Sequence, residues 1–346
     1  MMKSWRVFLL LILLFVCHSV YLILTGTMNS IAWAESYIKE NIEFESENYN
    51  NLKYILTKDP TSTVKIYATL SFPDEIKQKY PAIVLVHSIG GYQETCEGWY
   101  ADSFRKAGFA VLTYESISPR GITAAPTSGG QGLLSSMLSD SYHALKTLST
   151  HPKIDAKKIV IVGFSFGGEV THIAAFEELR AALVQGDLKF AAHIPIYPGL
   201  QWGIKVGASS YTGSPILMLV GEKDDCSPPA KLRAYLDYVK STGITIPVET
   251  IIYPGAYHGW GNSTYTPAQF RSRLVNVSNC PFLLFASRSN EDSSMLENGL
   301  AVPFDIKKLK ACTLNSRGYT IGFDEQVRKQ SLVDAVTFLK KVFEQK

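Results

Sequence analysis

Lys158-Ile159-Val160-Ile161-Val162-Gly163-Phe164-Ser165-Phe166-Gly167-Gly168 runs an unbroken apolar stretch straight into Gly-x-Ser-x-Gly and then into a helix-like segment. A continuous β-branched run reads as a strand buried on both faces. A serine between two such glycines, at the corner where a strand becomes a helix, sits on a strained turn, and the glycines let neighbouring backbone pass close by. Placed at the start of the helix, Ser165 also has the Phe166 N–H and the positive end of the helix dipole beside it. The same five-residue pattern occurs by chance as a simple tight turn; the strand before it and the helix after it favour the nucleophile reading.

Outward from that corner, short strand-like runs alternate with helix-like segments. The runs are Val64 to Leu70, Ala82 to Val86, Ala110 to Tyr114, Ile159 to Val162, Ala191 to Tyr197, Ile216 to Val220 and Val248 to Tyr253. Helices are predicted at Trp99 to Ala107, Leu133 to Leu148, Phe166 to Leu179, Ala230 to Lys240 and about Glu325 to Phe343. This alternation predicts one α/β domain over residues 35–346 with a mostly parallel, doubly wound central sheet flanked by helices. Residues 35–60 are polar and carry no clear assignment. Residues 262–318 break the alternation and read as an insertion packed beside the last strand, ahead of the final helix.

A serine needs a base, and an imidazole base needs an acid to orient it. Both follow in order. Pro215 to Val220 ends in Gly221-Glu222-Lys223-Asp224-Asp225, and Ser227 is placed to cap a helix begun by Pro228. Ile251 to Tyr253 runs into Pro254-Gly255-Ala256-Tyr257-His258-Gly259-Trp260, which puts a histidine in a loop just past the last strand. Ser165, Asp224 and His258 are thus the catalytic candidates. The spacing from Gly221 favours Asp224, leaving Asp225 as a solvated or helix-capping residue. Of the seven histidines, His18 lies in the N-terminal segment, His143, His151 and His172 fall on helical or polar segments and His193 lies inside a strand, and these read as surface or core residues. The second oxyanion donor is expected from His87-Ser88-Ile89-Gly90-Gly91, with the Ile89 N–H joining that of Phe166 and His87 bracing the loop.

These features together resemble the dienelactone hydrolase family of α/β-hydrolases. The resemblance rests on Gly163 to Gly168, on Gly221 to Asp225 followed by Pro228, on Tyr253 to His258, and on the Tyr197-Pro198-Gly199 turn. It covers roughly residues 62–260 and the last helix, and does not cover the insertion. It implies an α/β-hydrolase fold, a carboxylic ester or lactone as small-molecule substrate, and no cofactor. The founding members use a cysteine nucleophile held by a glutamate in the oxyanion turn. Here Ser165 and Ser88 stand at those positions, so the chain is expected to act as a serine esterase and not on dienelactone itself. An acyltransferase, a peptidase or a non-catalytic binding protein on the same fold are the alternatives.

Substrate contacts are sought among loop residues at strand ends. Tyr92 and Trp260 are candidates for an apolar group, with Trp99, Trp202 and Tyr257 in similar loops; Arg120 is a candidate for a substrate carboxylate, with a structural salt bridge as its equal alternative. No metal site is expected, because Glu169-x-x-His172 has no second copy and the cysteine spacings are not those of a zinc site.

Composition bounds the rest. In 346 residues, 34 Lys and Arg face 31 Asp and Glu, for a net charge of +3, and no basic run is present. A nucleic acid partner is not expected. Hydrophobic residues at 46% and charged residues at 19% exclude a disordered chain. Residues 1–34 combine Lys3 and Arg6, an apolar core from Val7 to Leu24 and Ala32-Trp33-Ala34, the layout of a signal peptide cleaved after Ala34; an anchor over residues 7–24 is the lesser reading, and the protein is expected to be secreted or periplasmic. Cleavage removes Cys17 and leaves four cysteines for an oxidising compartment. Cys280–Cys312 is the favoured bridge, Cys96–Cys226 a weaker second. Asn262-Ser263-Thr264 and Asn276-Val277-Ser278 are sequons that matter only in a glycosylating host. The oligomeric state has no signature.

Overall fold

The computed structural model describes residues 37–122, 130–287 and 294–344, so the expected signal segment lies outside the described residues. In chain order the strands are β1 Lys39–Asn48, β2 Ser62–Ser71, β3 Tyr80–Val86, β4 Ala110–Tyr114, β5 Ile154–Phe164, β6 His193–Ile196 and β7 Trp202–Ile204. They continue with β8 Ile216–Gly221, β9 Val248–Tyr253, β10 Gln269–Val275, β11 Phe282–Phe285, β12 Ser294–Glu297, β13 Leu300–Pro303 and β14 Arg317–Ile321. An eight-stranded sheet in the order β1-β2-β4-β3-β5-β6-β8-β9 forms the centre. From β4 to β9 its pairings are parallel, while β1 and β2 are antiparallel additions.

Period-two alternation inside the continuous apolar runs explains why they are continuous. In β3, Ala82, Val84 and Val86 belong to one core, and Ile83 and Leu85 to the other. In β5, Ile159 and Ile161 face the first core, and Val160, Val162 and Phe164 the second. Both faces are covered by helices, so neither can be polar. The first core takes Leu134, Leu138 and Leu145 from the helix Gly130–Ser149, and the second takes Phe338 and Leu339 from the last helix, Glu325–Glu344. Among the described residues no helix is long and apolar enough to cross a membrane.

Three local expectations change. The helix expected over Phe166 to Leu179 is two helices, Phe166–Ile173 and Glu177–Leu183, because Phe176 forms a β-bridge with Tyr211 and the Ala175 carbonyl accepts from Thr212 N–H between them. Ser227 does not cap the next helix, which runs Pro229–Ser241 with Pro228 before it and no side-chain cap. Residues 39–48, unassigned from sequence, form β1, whose Ile42, Phe44 and Ser46 turn inward while Glu43 and Glu45 turn out.

The insertion is divided between two places. β10 pairs with β14, and Ile321 at the end of β14 bridges to His258. β11, β12 and β13 instead extend from β7 as a four-stranded sheet, with β11 parallel to β7. The insertion thus packs both beside the histidine loop that follows β9 and against the segment after β6. Cys280 and Cys312 are bonded, with Cα atoms 5.5 Å apart, which ties the segment leading into β11 to the helix Ile306–Asn315. Cys96 and Cys226 are free thiols, correcting the second bridge. Cys96 packs in the core under Tyr100 and Tyr197, whereas Cys226 belongs to a separate cluster with Tyr319 and Ile321.

Candidate active site

Ser165 follows β5 at φ 53°, ψ −111°, a left-handed conformation that a non-glycine residue adopts only under constraint. The constraint is close packing of backbone. A Cβ on Gly163 would run into the Gly167 carbonyl, and one on Gly167 would run into the carbonyls of Val86 and His87. The turn is thus pressed against β3, and the Ser165 side chain, which makes no capping bond to its own helix, is left for another partner.

That partner is His258. Ser165 Oγ lies 2.8 Å from His258 Nε2, and His258 Nδ1 lies 2.8 Å from Asp224 Oδ2. Asp224 and His258 are both buried. The other carboxylate oxygen, Asp224 Oδ1, accepts from the Cys226 N–H at 3.0 Å and the Ser227 N–H at 2.8 Å, so the residue expected to cap a helix orients the acid instead.

Two loops are stitched together to bring acid and imidazole into line. Glu222 N–H donates to the Tyr253 carbonyl, Lys223 N–H to the Ala256 carbonyl, and Gly255 N–H to the Glu222 carboxylate. Gly221 permits this approach, since a Cβ there would lie 2.5 Å from the Ala256 carbonyl oxygen. The imidazole is packed edge-on against Tyr197 and Tyr319, each 5.2 Å away between ring centres.

The turn after β3 is braced by two carboxylates. Glu97 Oε1 accepts from Ser88 N–H at 2.9 Å and its Oε2 from Gln93 N–H at 3.2 Å, while Glu115 Oε2 accepts from Tyr92 N–H at 2.8 Å. Glu97 is fully buried, which raises its pKa. His87, also fully buried, donates from Nδ1 to the Ser88 carbonyl at 2.7 Å, with Nε2 3.0 Å from Glu115 Oε1. Burial opposes charge on this imidazole, but the neighbouring Glu115 outweighs it and raises the His87 pKa. Glu115 is itself partly buried, yet His87 and the backbone donors bring it down to about 2. Ile89 emerges from this turn beside Ser165.

Two cavities meet at Ser165, both bordered by Ile89 and Tyr319. The larger, about 800 Å³, includes His258, Gln93, Arg271 and Arg273. The smaller, about 370 Å³, includes Phe166, Leu134, Trp202, Leu283, Leu309 and Leu314. Both take part of their wall from the insertion.

The proposed substrate contacts fare differently. Arg120 is not in either cavity: it makes a bidentate pair with buried Asp140 at 2.8 Å for each bond, and also donates to Asn48 Oδ1 and the Ser116 carbonyl. Trp260 is fully buried, with its ring against Tyr197 at 4.6 Å and Tyr253 at 5.3 Å, so it supports the histidine loop from beneath. Tyr92 borders neither cavity; its backbone is fastened to Glu115. Of the loop aromatics, Trp202 does line the smaller cavity. Asp225 is not merely solvated, since it accepts from Thr320 of β14. Sequence reasoning missed Tyr319, Arg271 and Arg273, which lie in the insertion or at its end, where no motif marks them.

Asp224, Cys226 and His258 bring potential ligand atoms within 4.8 Å of one another. Burial raises the Cys226 thiol pKa far above neutrality, and Asp224 and His258 already bond to each other, so the three are arranged for a hydrogen-bonded pair and not for thiolate ligation.

The dienelactone hydrolase family model matches residues 66–272. A Yersinia pestis protein named as a candidate carboxymethylenebutenolidase is 25% identical over 226 residues, covering 61% of this chain and 80% of its own. In structure, a dienelactone hydrolase-like promiscuous phosphotriesterase from metagenomic libraries aligns over 87% of this chain and 98% of its own, with a TM-score of 0.51 and 12% identity. A dienelactone hydrolase candidate from Klebsiella pneumoniae aligns over 64% of this chain and 88% of its own, with a TM-score of 0.45 and 18% identity. The strand order, the serine corner and a family match that spans from β2 into β10 agree: the chain belongs to the dienelactone hydrolase family and has the α/β-hydrolase fold.

Proposed function

We propose that this hydrolase cleaves a carboxylic ester or lactone through an acyl-enzyme on Ser165. The observation that carries the reading is the unbroken hydrogen-bonded line Ser165–His258–Asp224, with 2.8 Å at each step. His258 Nε2 takes the Ser165 proton as Oγ attacks the carbonyl carbon, and Asp224 stabilises the imidazolium through Nδ1–H. The oxyanion that forms is received by the Phe166 N–H, at the first position of a helix with unsatisfied donors, and by the Ile89 N–H. The alcohol leaves with the proton from His258, and a water deprotonated by the same imidazole then releases the acid. None of these steps calls for a cofactor.

Turnover of p-nitrophenyl esters of increasing acyl length, together with fluorophosphonate labelling, tests this. Ser165→Ala is expected to lower kcat by at least about 10³-fold and abolish labelling. Undiminished turnover in that variant would remove Ser165 from the reaction.

We also propose that residues 1–34 are a signal peptide and that the mature protein works outside the cytoplasm. The Cys280–Cys312 bond supports an oxidising destination. N-terminal sequencing of the protein from its native compartment should begin at Glu35; a retained Met1 would overturn the reading.

A further inference from the structure

The two cavities at Ser165 differ in which half of the catalytic apparatus they contain, and this orients a bound ester. The larger one includes His258 but not Phe166, and the smaller one includes Phe166 but not His258. The oxygen that departs must be protonated by His258 Nε2, so the alcohol half belongs in the larger cavity. With the carbonyl oxygen at the Phe166 N–H and the departing oxygen at His258, the acyl chain takes the remaining direction from the same carbon, and the smaller cavity is the space left for it.

The two linings then say what each half is. Among the described residues no Asp or Glu borders the larger cavity, whereas Arg271 and Arg273 of β10 do. Neither arginine has an ion-pair or hydrogen-bond partner among the described residues, whereas Arg105 and Arg120, away from the cavities, are matched to carboxylates. They stand where β10 departs from regular pairing with β14, between Arg271 and Val275, so that the strand bows at the cavity wall. The smaller cavity is lined by Leu134, Leu283, Leu309, Leu314, Val275 and Trp202. Its two charged residues, Glu169 and Arg317, are of opposite sign, and the Glu169 carboxylate accepts the N–H groups of Gln201 and Trp202.

We propose that the substrate is an ester joining an apolar acyl chain to an anionic alcohol, whose carboxylate or phosphate group is bound by Arg271 and Arg273. The inference rests on Ser165 being the nucleophile. The step is balanced: Ser165 Oγ bonds to the acyl carbon, the acyl carbon–oxygen bond to the alcohol breaks, and the anionic alcohol departs with the proton held by His258. Guanidinium groups recognise planar or tetrahedral oxyanions, and because both arginines are exposed the attraction is sensitive to salt.

Three butyrate esters test it: the neutral 4-nitrophenyl ester, the 3-carboxy-4-nitrophenyl ester and a 4-phosphooxyphenyl ester. With the purified protein at low salt, kcat/KM for at least one charged ester, corrected for leaving-group reactivity, should exceed that of the neutral ester by about tenfold. The preferred member of the charged pair identifies carboxylate or phosphate. The ratio should fall towards one in Arg271→Gln/Arg273→Gln and in about 0.5 M salt. A ratio at or below one in the unsubstituted protein, with the neutral ester turned over and Ser165 labelled, overturns the anion site and leaves the nucleophile standing. A ratio unchanged by the double substitution also overturns it. Absence of both turnover and Ser165 labelling refutes the underlying reading and this one with it.

Discussion

Asp225 accepts the Thr320 N–H at 2.8 Å and the Thr320 hydroxyl at 3.1 Å. Its neighbour Asp224 holds His258, and Thr320 precedes Ile321, which bridges to His258. Two adjacent aspartates thus anchor one histidine loop from opposite sides, one through the imidazole and one through β14.

Their substitutions should separate cleanly. Asp224→Asn is expected to lower kcat by about 10³–10⁴-fold, since the amide no longer stabilises the imidazolium. Asp225→Asn loses at most two partly exposed bonds, about 1 kcal/mol each, and should be read mainly as a lower Tm. Steady-state kinetics and thermal unfolding of both variants check this; an equal loss of kcat in the two would contradict the assignment.

Arg120 and Asp140 predict a stability effect where a binding effect was expected. Both are buried and joined by two 2.8 Å bonds, so Arg120→Ala strands a carboxylate in the core and should cost about 3–5 kcal/mol. Urea unfolding measures the loss. If stability is unchanged and KM alone rises, Arg120 contacts substrate after all.

Acid should weaken the fold through two histidines. His172 and His193 are fully buried, and burial lowers each to a pKa of about 3. The unfolded chain binds their protons below about pH 6.5 while the native one does not, so stability present above that pH is lost as it falls towards 3, by about 2 kcal/mol per histidine at pH 5. His87, whose pKa is raised, contributes with the opposite sign, stabilising below about pH 6.5 and losing that as pH rises through its folded value. The informative quantity is therefore the difference between the unsubstituted protein and His193→Leu. The variant should show the shallower loss of urea midpoint between pH 7 and pH 5; parallel profiles would refute it.

The Cys280–Cys312 bond closes a loop of sequence separation 32 and fastens the helix Ile306–Asn315, which supplies Leu309 and Leu314 to the smaller cavity. Cys280→Ala/Cys312→Ala should cost about 3 kcal/mol and blunt discrimination among acyl lengths. Differential scanning calorimetry and the acyl-length series give the two readouts. Unchanged chain-length preference would show that the helix holds its place without the bond.

How much was legible beforehand depends on how local the cause is. The serine corner, the acidic turn and the histidine loop each follow a strand of the parallel sheet, and their glycines and strand ends are written in consecutive residues. Phe166 and Ile89, expected as oxyanion donors, border the cavity wall at Ser165. The Cys280–Cys312 pairing was inferable because both cysteines lie within one irregular stretch. The helix break at Ala174–Phe176 was not, because its cause is Tyr211, a residue far along the chain.

What the sequence by itself determined, then, is the family, the alternating α/β order, and the three residues that meet as Ser165, His258 and Asp224. Only the tertiary structure decided which charges face a ligand and which face each other. Arg120 and Trp260 sit in strand-end loops yet are consumed by Asp140 and by Tyr197 and Tyr253, whereas Arg271 and Arg273 lie in a stretch without motif and face the cavity. The physical reason is that a backbone corner is set by neighbours in sequence, whereas a side chain's partner is set by whatever the fold delivers across tens of residues.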